Sequence, residues 1–467
     1  MTQHSPMEPT KVDVAVIGAG PAGMAAAVTA SKAGLSVALL DEGQSLGGQI
    51  YRNIENGTRF RDGILGSDYV AGRTLAQSLR ASDVTYLPRT TVWNISTDNM
   101  LDLSRDGSSS QLIADKIIVA TGAVERPSPM PGWTLAGVTT VGALQILLKA
   151  SGVVQEDAVL VGSGPLMWLV AAQMISAGTP PKAIVETTPK GRMAQAMPHI
   201  LKALKGHRYL TKGLSMMRQV RGAGIPIYNA ATNVRINGGE VAESVTFISK
   251  GKEHTIHSNH IALHQGVVPN QQVTRLLRCD HKWDASQHCF RPVLDGQGKT
   301  SVSDVYVAGD GAGIGGAKSA ALMGRLVALA IAQAKGKALP ERVDRLEAAL
   351  ASDGAVRPFL EAMYAPAPQF VKPAKETIVC RCEEVTAGAI EEAVDLGAPG
   401  PNQVKSFLRS GMGPCQGRGC GLVVASIIAE RRKASMDETG YYRIRPPPKP
   451  IPLSELANFQ PLEVAQK

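Results

Sequence analysis

Cysteine is scarce and unevenly placed. The 467-residue chain has six, and none comes before Cys279. A disulfide scaffold spreads paired cysteines through a short secreted chain, so this distribution excludes one. The same absence excludes dithiol chemistry ahead of Cys279. Aromatic residues make up only 4%. Single-stranded nucleic acid is gripped by stacked rings, so no nucleic-acid partner is expected. Long apolar runs are missing: no stretch reaches the roughly eighteen residues that suggest a membrane-spanning helix, so no transmembrane segment is expected. The first ten residues are polar and the first apolar run, Val12–Gly20, is interrupted by Asp13, which does not read as a signal peptide. A cytoplasmic protein with reduced thiols is the expectation. The net charge of +9, from 49 Lys+Arg against 40 Asp+Glu, permits peripheral contact with the inner face of a membrane without requiring it.

Glycine, by contrast, is plentiful at 48 residues, and 44% of the chain is hydrophobic, which is a globular composition. At roughly 100–200 residues per domain the length predicts two to four domains. The glycines concentrate at a few places. Lys11–Gly23 reads KVDVAVIGAGPAG. Its β-branched first half suits a buried parallel strand, and Gly18, Gly20, Pro21, Ala22 and Gly23 follow as G-x-G-x-x-G. An alanine-rich helix over Ala25–Ala33, a second strand over Leu35–Leu40 and the acids Asp41 and Glu42 complete a dinucleotide-binding unit. Gly18 makes the tight turn, Gly20 admits the pyrophosphate, and Gly23 lets helix and strand pack closely. The helix N-terminus offers free N–H groups to phosphate, and Asp41 would accept from the ribose.

Further along lie Gly48-Gln49, an apolar strand ending in Thr121-Gly122, and VYVAGD, ending in Gly309-Asp310. In this order the pieces resemble the two-dinucleotide-domain flavoproteins, with the fold of glutathione and thioredoxin reductases. The resemblance implies FAD as cofactor. It places Asp310 near the ribityl chain, Thr121-Gly122 and Gly48-Gln49 beside the FAD, and backbone around Val92 at the adenine. A second unit, AVLVGSG, carries Gly162 and Gly164 but has Met167 at the third glycine position. Met167 should push the helix off the strand or remodel the turn. Glu186 closes the next strand and could hold a ribose, with Lys190 and Arg192 following it. Three readings stand for this unit: nicotinamide binding, another adenine nucleotide, or a degenerate fold serving as a subunit interface.

The last cysteines fall as C-x-C-x32-C-x4-C: Cys380, Cys382, Cys415 and Cys420. Four thiolates suit an iron–sulfur cluster or zinc, and C-x-C is tight for a zinc knuckle. Gly411, Gly413, Gly417, Gly419 and Gly421 would let backbone N–H groups approach cluster sulfides. The segment Thr377–Arg432 resembles the bacterioferritin-associated ferredoxin type of [2Fe–2S] domain. Cys279, His281, His288 and Cys289 read instead as structural, as do His199, His207 and His264, and no catalytic residue is nominated.

The expected organisation is α/β: an FAD-binding domain at 8–137 and 266–345, a second, degenerate nucleotide-binding domain at 138–265, a linker at 346–376, a small helical [2Fe–2S] domain at 377–432, and an extended proline-rich tail at 433–467. With VAVIGAGPAG, LGGQI, ATGAVERP-x4-GW and VAGDGAGIGG, this order resembles one family over nearly the whole chain. It comprises the alpha subunits of opine oxidases and of D-hydroxyproline and dye-linked proline dehydrogenases, together with the HcnB-type chain of hydrogen cyanide synthase. The resemblance implies an electron-transfer subunit of a hetero-oligomeric oxidoreductase that acts on CH–NH bonds of an opine, D-amino acid or imino acid. It further implies an amine-oxidising FAD-bearing beta chain, a small ferredoxin-like gamma chain, an FMN at the boundary between chains, and a quinone or dye as acceptor. The alternatives are a self-sufficient NAD(P)H oxidoreductase, a component of hydrogen cyanide synthase, and a non-catalytic nucleotide-binding scaffold.

Overall fold

The structure, a computed structural model, describes residues 10–459. Residues 8–9 of the expected first domain and 460–467 of the expected tail lie outside the described residues. A seven-stranded sheet forms the first layer. Thr85–Leu87, Val37–Leu40, Thr10–Ile17, the far half of Ser108–Val119 and Val305–Val307 run parallel. The near half of Ser108–Val119 continues into an antiparallel meander with Met100–Arg105 and Thr90–Ile95. Val14, Val16, Leu39 and Ile118 are fully buried, as strands covered on both faces must be. Helix Pro21–Lys32 buries ten of its twelve residues. It crosses helix Ala317–Ala334 so closely that a Cβ at Gly324 would overlap the Ala22 carbonyl.

A second, five-stranded sheet orders Ile227–Tyr228, Ala183–Glu186, Val159–Gly162, Ile261–His264 and Val138–Thr140, all parallel. A three-stranded antiparallel sheet, Thr232–Asn237, Ser244–Ser249 and Lys252–His257, packs on it through Val234, Val245 and Phe247. The chain leaves the first sheet through Ala123–Glu125 and returns through Val267–Pro269, and these two strands pair with each other. The buried guanidinium of Arg126 clamps this crossing, donating to the carbonyls of Gln265, Gln287 and His288.

Residues 346–376 differ from the expected linker. They contribute the end of helix Val343–Asp353, helix Arg357–Met363 and the short Pro368–Val371. Ala367 and Phe370 are buried against Val159, Val161 and Val185 of the second sheet. Pro358 and Pro368 stand in the first turns of their helices, where the missing N–H costs nothing. The cysteine-bearing segment is a small helical body. Helices Ala387–Asp395, Pro401–Leu408 and Gly421–Arg432 enclose Ile390, Val404, Val424 and Ile428. The tail, expected to be extended throughout, includes the short helices Met436–Thr439 and Leu453–Asn458. Between them residues 440–452 have no regular structure.

Candidate functional site

The first glycine turn is shaped by close approaches. Gly18 has φ +107°, and a Cβ there would lie 2.5 Å from the Ala120 carbonyl oxygen. A Cβ on Gly23 would overlap the Gly18 carbonyl. Gly20 caps helix Pro21–Lys32 with no side-chain hydrogen bond, which leaves its N-terminal amides for an anionic ligand. Gly48 leans over this turn, since a Cβ on it would stand 2.9 Å from Gly20 Cα. Gly309 abuts Ala22, and Gly311 lies against the Gly122 carbonyl. Asn270 joins the same wall, its N–H donating to the Gly122 carbonyl and its carbonyl accepting from Thr121 Oγ1. Asp310 Oδ1 accepts from the N–H groups of Gly315 and Gly316, both at 2.9 Å. The structure thus gathers the glycine turn, Gly48-Gln49, Thr121-Gly122 and Gly309-Asp310 around one cleft. A cradle that any Cβ would fill fits a dinucleotide such as FAD.

Asp41 departs in detail from its expected role. Its Oδ2 accepts from Ala19 N at 2.5 Å and its Oδ1 from Gly43 N at 2.6 Å. The carboxylate therefore braces the turn as well as facing the ribose corner, and a carboxylate has about four acceptor sites, so capacity remains. Glu42 is ion-paired to Lys449 of the tail. Val92 is half-buried, two residues beyond Thr90, whose N–H donates to the Asp41 carbonyl. The hydroxyl of Tyr86, in the strand beside Val37–Leu40, is buried with no hydrogen-bond partner among the described residues. Burial first, and the Asp41 carboxylate second, push its pKa up to about 12.

Lys149 is an addition that the sequence did not announce. It is 3% exposed, and its ammonium donates to Gln145 Oε1 at 2.7 Å and to the Gln49 carbonyl at 3.3 Å. Burial, then repulsion from Arg52, pulls its pKa down to about 7. Between about pH 7 and the 10.5 of a free lysine, the unfolded chain carries a proton that the folded chain lacks. Stability therefore rises with pH across that window and falls as pH drops toward 7. We expect Lys149→Met to flatten the rise, by up to about 1.4 kcal/mol per pH unit, in urea titrations from pH 7 to 10. An unchanged slope would mean that the ammonium is solvated.

In the second unit, helix Pro165–Ser176 starts directly at the turn. Met167 neither displaces the helix nor remodels the turn. It is fully buried, in an apolar cluster with Val141, Leu144 and Trp168, so the volume a glycine would spare is absorbed by packing. The turn itself is crowded: a Cβ on Gly162 would overlap the His264 carbonyl, and one on Gly164 would meet His264 Nε2 at 3.2 Å. His264 is buried and its Nδ1 lies 2.6 Å from Glu125 Oε1. Glu186 is 9% exposed and accepts from both the N–H and the hydroxyl of Thr188. Burial raises its pKa despite these bonds. Gln265 bridges Thr187 Oγ1 to the Ala367 N–H, tying the helical segment over the strand ends. The residues expected to face a ribose are thus inside the protein.

The four C-terminal cysteines form two close pairs. Cys380 and Cys420 are buried and hydrogen-bonded to each other, and Cys382 is coupled to Cys415. The Cys420 thiol, aided by backbone N–H groups of Gly411, Glu383 and Cys382, pulls the Cys380 pKa down to about 6. Among the described residues no three His, Cys, Asp or Glu converge on a single ion position. A mononuclear zinc site held by four thiolates requires such a point. A binuclear cluster takes two thiolates per iron, which the two pairs provide. Gly413 packs so tightly on Cys382 that a Cβ would overlap its Cβ, so only glycine admits the backbone there. The donor set fits [2Fe–2S].

The two candidate sites are joined. Gln272, two residues beyond Asn270, donates from Nε2 to the Gln416 carbonyl at 2.9 Å, next to Cys415. Arg275 lies over the rings of Phe290 and Tyr441, 5.0 and 4.9 Å from their centroids. A cavity of about 20 Å³ is shared by Val124, Asn270, Gln272, Arg418 and Tyr441. Neither Asn270 nor Gln272 stands out in the sequence, because an Asn-Gln-Gln run has no motif.

Comparison with known proteins agrees with this layout. The family model for pyridine nucleotide-disulphide oxidoreductases matches residues 12–335, and that for the BFD-like [2Fe-2S] binding domain matches 378–430. The opine oxidase alpha-type chain (the A subunit) of Rhizobium meliloti (strain 1021) is 42% identical over 453 residues, 96% of this chain and 98% of the relative. The hydrogen cyanide synthase chain HcnB of Pseudomonas aeruginosa is 32% identical over 469 residues, 95% of this chain and 98% of the relative. The crystal structure of L-proline dehydrogenase from P. horikoshii superposes with a TM-score of 0.73 at 20% identity, over 97% of this chain and 81% of that one, a likeness of fold. The chain belongs to the pyridine nucleotide-disulphide oxidoreductase family, as a flavoprotein of the opine oxidase alpha-chain type with a BFD-like [2Fe–2S] domain.

Proposed function

We propose that this chain is the electron-transfer subunit of a multi-chain flavin-dependent dehydrogenase or oxidase for opines, D-amino acids or imino acids. The observation that carries the reading is the union of a dinucleotide cradle and a four-thiol body through Gln272 and Gln416. The full-length likeness to an opine oxidase chain supports it. The substrate's CH–NH bond would be oxidised on a partner amine-oxidising chain, with a boundary FMN and a small ferredoxin-like chain completing the assembly. When bound, FAD supplies the change from two-electron to one-electron chemistry, and the cluster supplies a one-electron carrier.

This chain's residues do the placing. Gly18, Gly20, Pro21, Ala22 and Gly23 would receive the pyrophosphate, Asp41 and Glu42 the ribose corner, and Val92 the adenine. Gly48, Gln49, Thr121, Gly122, Gly309 and Asp310 would enclose the flavin end. Cys380, Cys382, Cys415 and Cys420 would hold the cluster. Residues 357–371 would keep a nicotinamide nucleotide out of the second crevice, where Gly162, Gly164 and Glu186 are engaged internally. Among the described residues no helix is long and apolar enough to cross a membrane, so a quinone acceptor would be met at a membrane surface, and a dye in solution.

Rapid mixing tests the reading. NADH and NADPH should leave the flavin oxidised on the millisecond-to-second scale, whereas an opine or imino acid should bleach it in the co-expressed complex. Fast bleaching by NADH would establish a self-sufficient nicotinamide oxidoreductase instead.

A further inference from the structure

We propose that Lys449, on the C-terminal segment, is a binding residue of the dinucleotide site and closes its adenosine end. The inference rests on the reading of the first cleft as an FAD site. Lys449 is ion-paired to Glu42, at the end of the strand that also presents Asp41. The segment carrying it is pinned on both sides. Upstream, Tyr442 is buried against Gly411 and Gly417 of the cysteine loop, and Arg418 donates to the Pro448 carbonyl at 3.0 Å. Downstream, Glu455 is 3% exposed and accepts from Ser109, while Phe459 packs edge-on against Trp93 at 5.3 Å. Trp93 adjoins Val92, so the segment crosses from the cysteine loop to the adenine end of the cleft.

The charge at this corner explains why a lysine belongs there. Asp41 and Glu42 are adjacent carboxylates, and Asp41 is already engaged by the turn. A pyrophosphate-bearing ligand would add more negative charge. The ammonium neutralises part of this and has three donors, of which Glu42 needs only some. The unpartnered Tyr86 hydroxyl is a further buried donor in the strand next to Asp41's own. Because Arg418 holds the residue before Lys449, the cysteine loop and the nucleotide corner share one backbone segment. Occupancy of either site would then favour occupancy of the other, by reciprocal linkage.

The test uses the full-length chain purified with its flavin, with FAD release followed by flavin fluorescence on dilution. Lys449→Ala should release FAD about 10-fold faster at low salt, the scale of one lost charge-assisted hydrogen bond. The difference should collapse near 1 M salt, where the screening length is about 3 Å. Lys449→Arg should stay close to the parent. Release from Lys449→Ala at the parental rate overturns the proposal. So does equally fast release from Ala and Arg variants at every salt concentration, which would make the segment a steric strap only. A parent protein that holds no flavin would instead sink the reading of the cleft itself.

Discussion

Full-length protein carrying Cys382→Ser or Cys415→Ser loses the visible absorbance of the iron–sulfur cluster and keeps that of the flavin. These two positions are chosen on physical grounds. Cys382 is exposed and Cys415 half-buried, whereas Cys380 and Cys420 are 1% exposed inside the apolar core of the small domain. Serine at either buried position would leave a hydroxyl among Val379, Ile390 and Val424, at a cost of about 1–3 kcal/mol, and would confuse loss of metal with loss of fold. At Cys382 the swap removes one thiolate and little else. Iron binding should weaken by well over the roughly 100-fold seen for outer partners of metal ligands. Iron analysis, the visible spectrum and thermal unfolding, read together, check this. An unaltered cluster spectrum in both variants would remove these cysteines from the ligand set.

The expectations that held were those in which steric need is local. A β-branched run followed by glycines at fixed spacing encodes its turn, because each glycine answers a clash with backbone a few residues away, as Gly23 does with Gly18. Cysteine spacing worked for the same reason. What could not be read depends on partners distant in sequence. Met167 looked disruptive because its cluster, with Val141 and Leu144 on a neighbouring helix, is assembled only by folding. The prolines of 346–376 suggested a linker, yet two of them start helices, and only the burial of Phe370 on the second sheet reveals the segment as a cover. Lys449 and Glu42 lie at opposite ends of the chain, and no periodicity connects them. Gln272 meets Gln416 through an ordinary amide, a residue type that carries no signature.

Gly23→Ala should strip the protein of flavin, which sets apart a glycine needed for space from one needed for backbone freedom. The new methyl would overlap the Gly18 carbonyl and press on Ala120 Cβ at 3.4 Å. Both obstacles belong to the strand and turn, so no rotamer change relieves them, and helix Pro21–Lys32 must shift outward. That helix is also locked from the other side, because Gly324 touches the Ala22 backbone. Overpacking of this kind costs about 1–3 kcal/mol in stability. The shift also carries the helix N-terminus away from where phosphate would sit. Losing two charge-assisted hydrogen bonds, at about 1.5–3 kcal/mol each, weakens FAD binding at least about 100-fold. Gly34 is the control: it has φ +77° but nothing within 4 Å of a Cβ. Gly34→Ala should cost about 1–2 kcal/mol through left-handed backbone strain alone and leave the flavin in place. The flavin-to-protein ratio of the two purified variants, with their unfolding midpoints, decides the matter. A Gly23→Ala protein with full flavin content would show that the nucleotide does not depend on this turn.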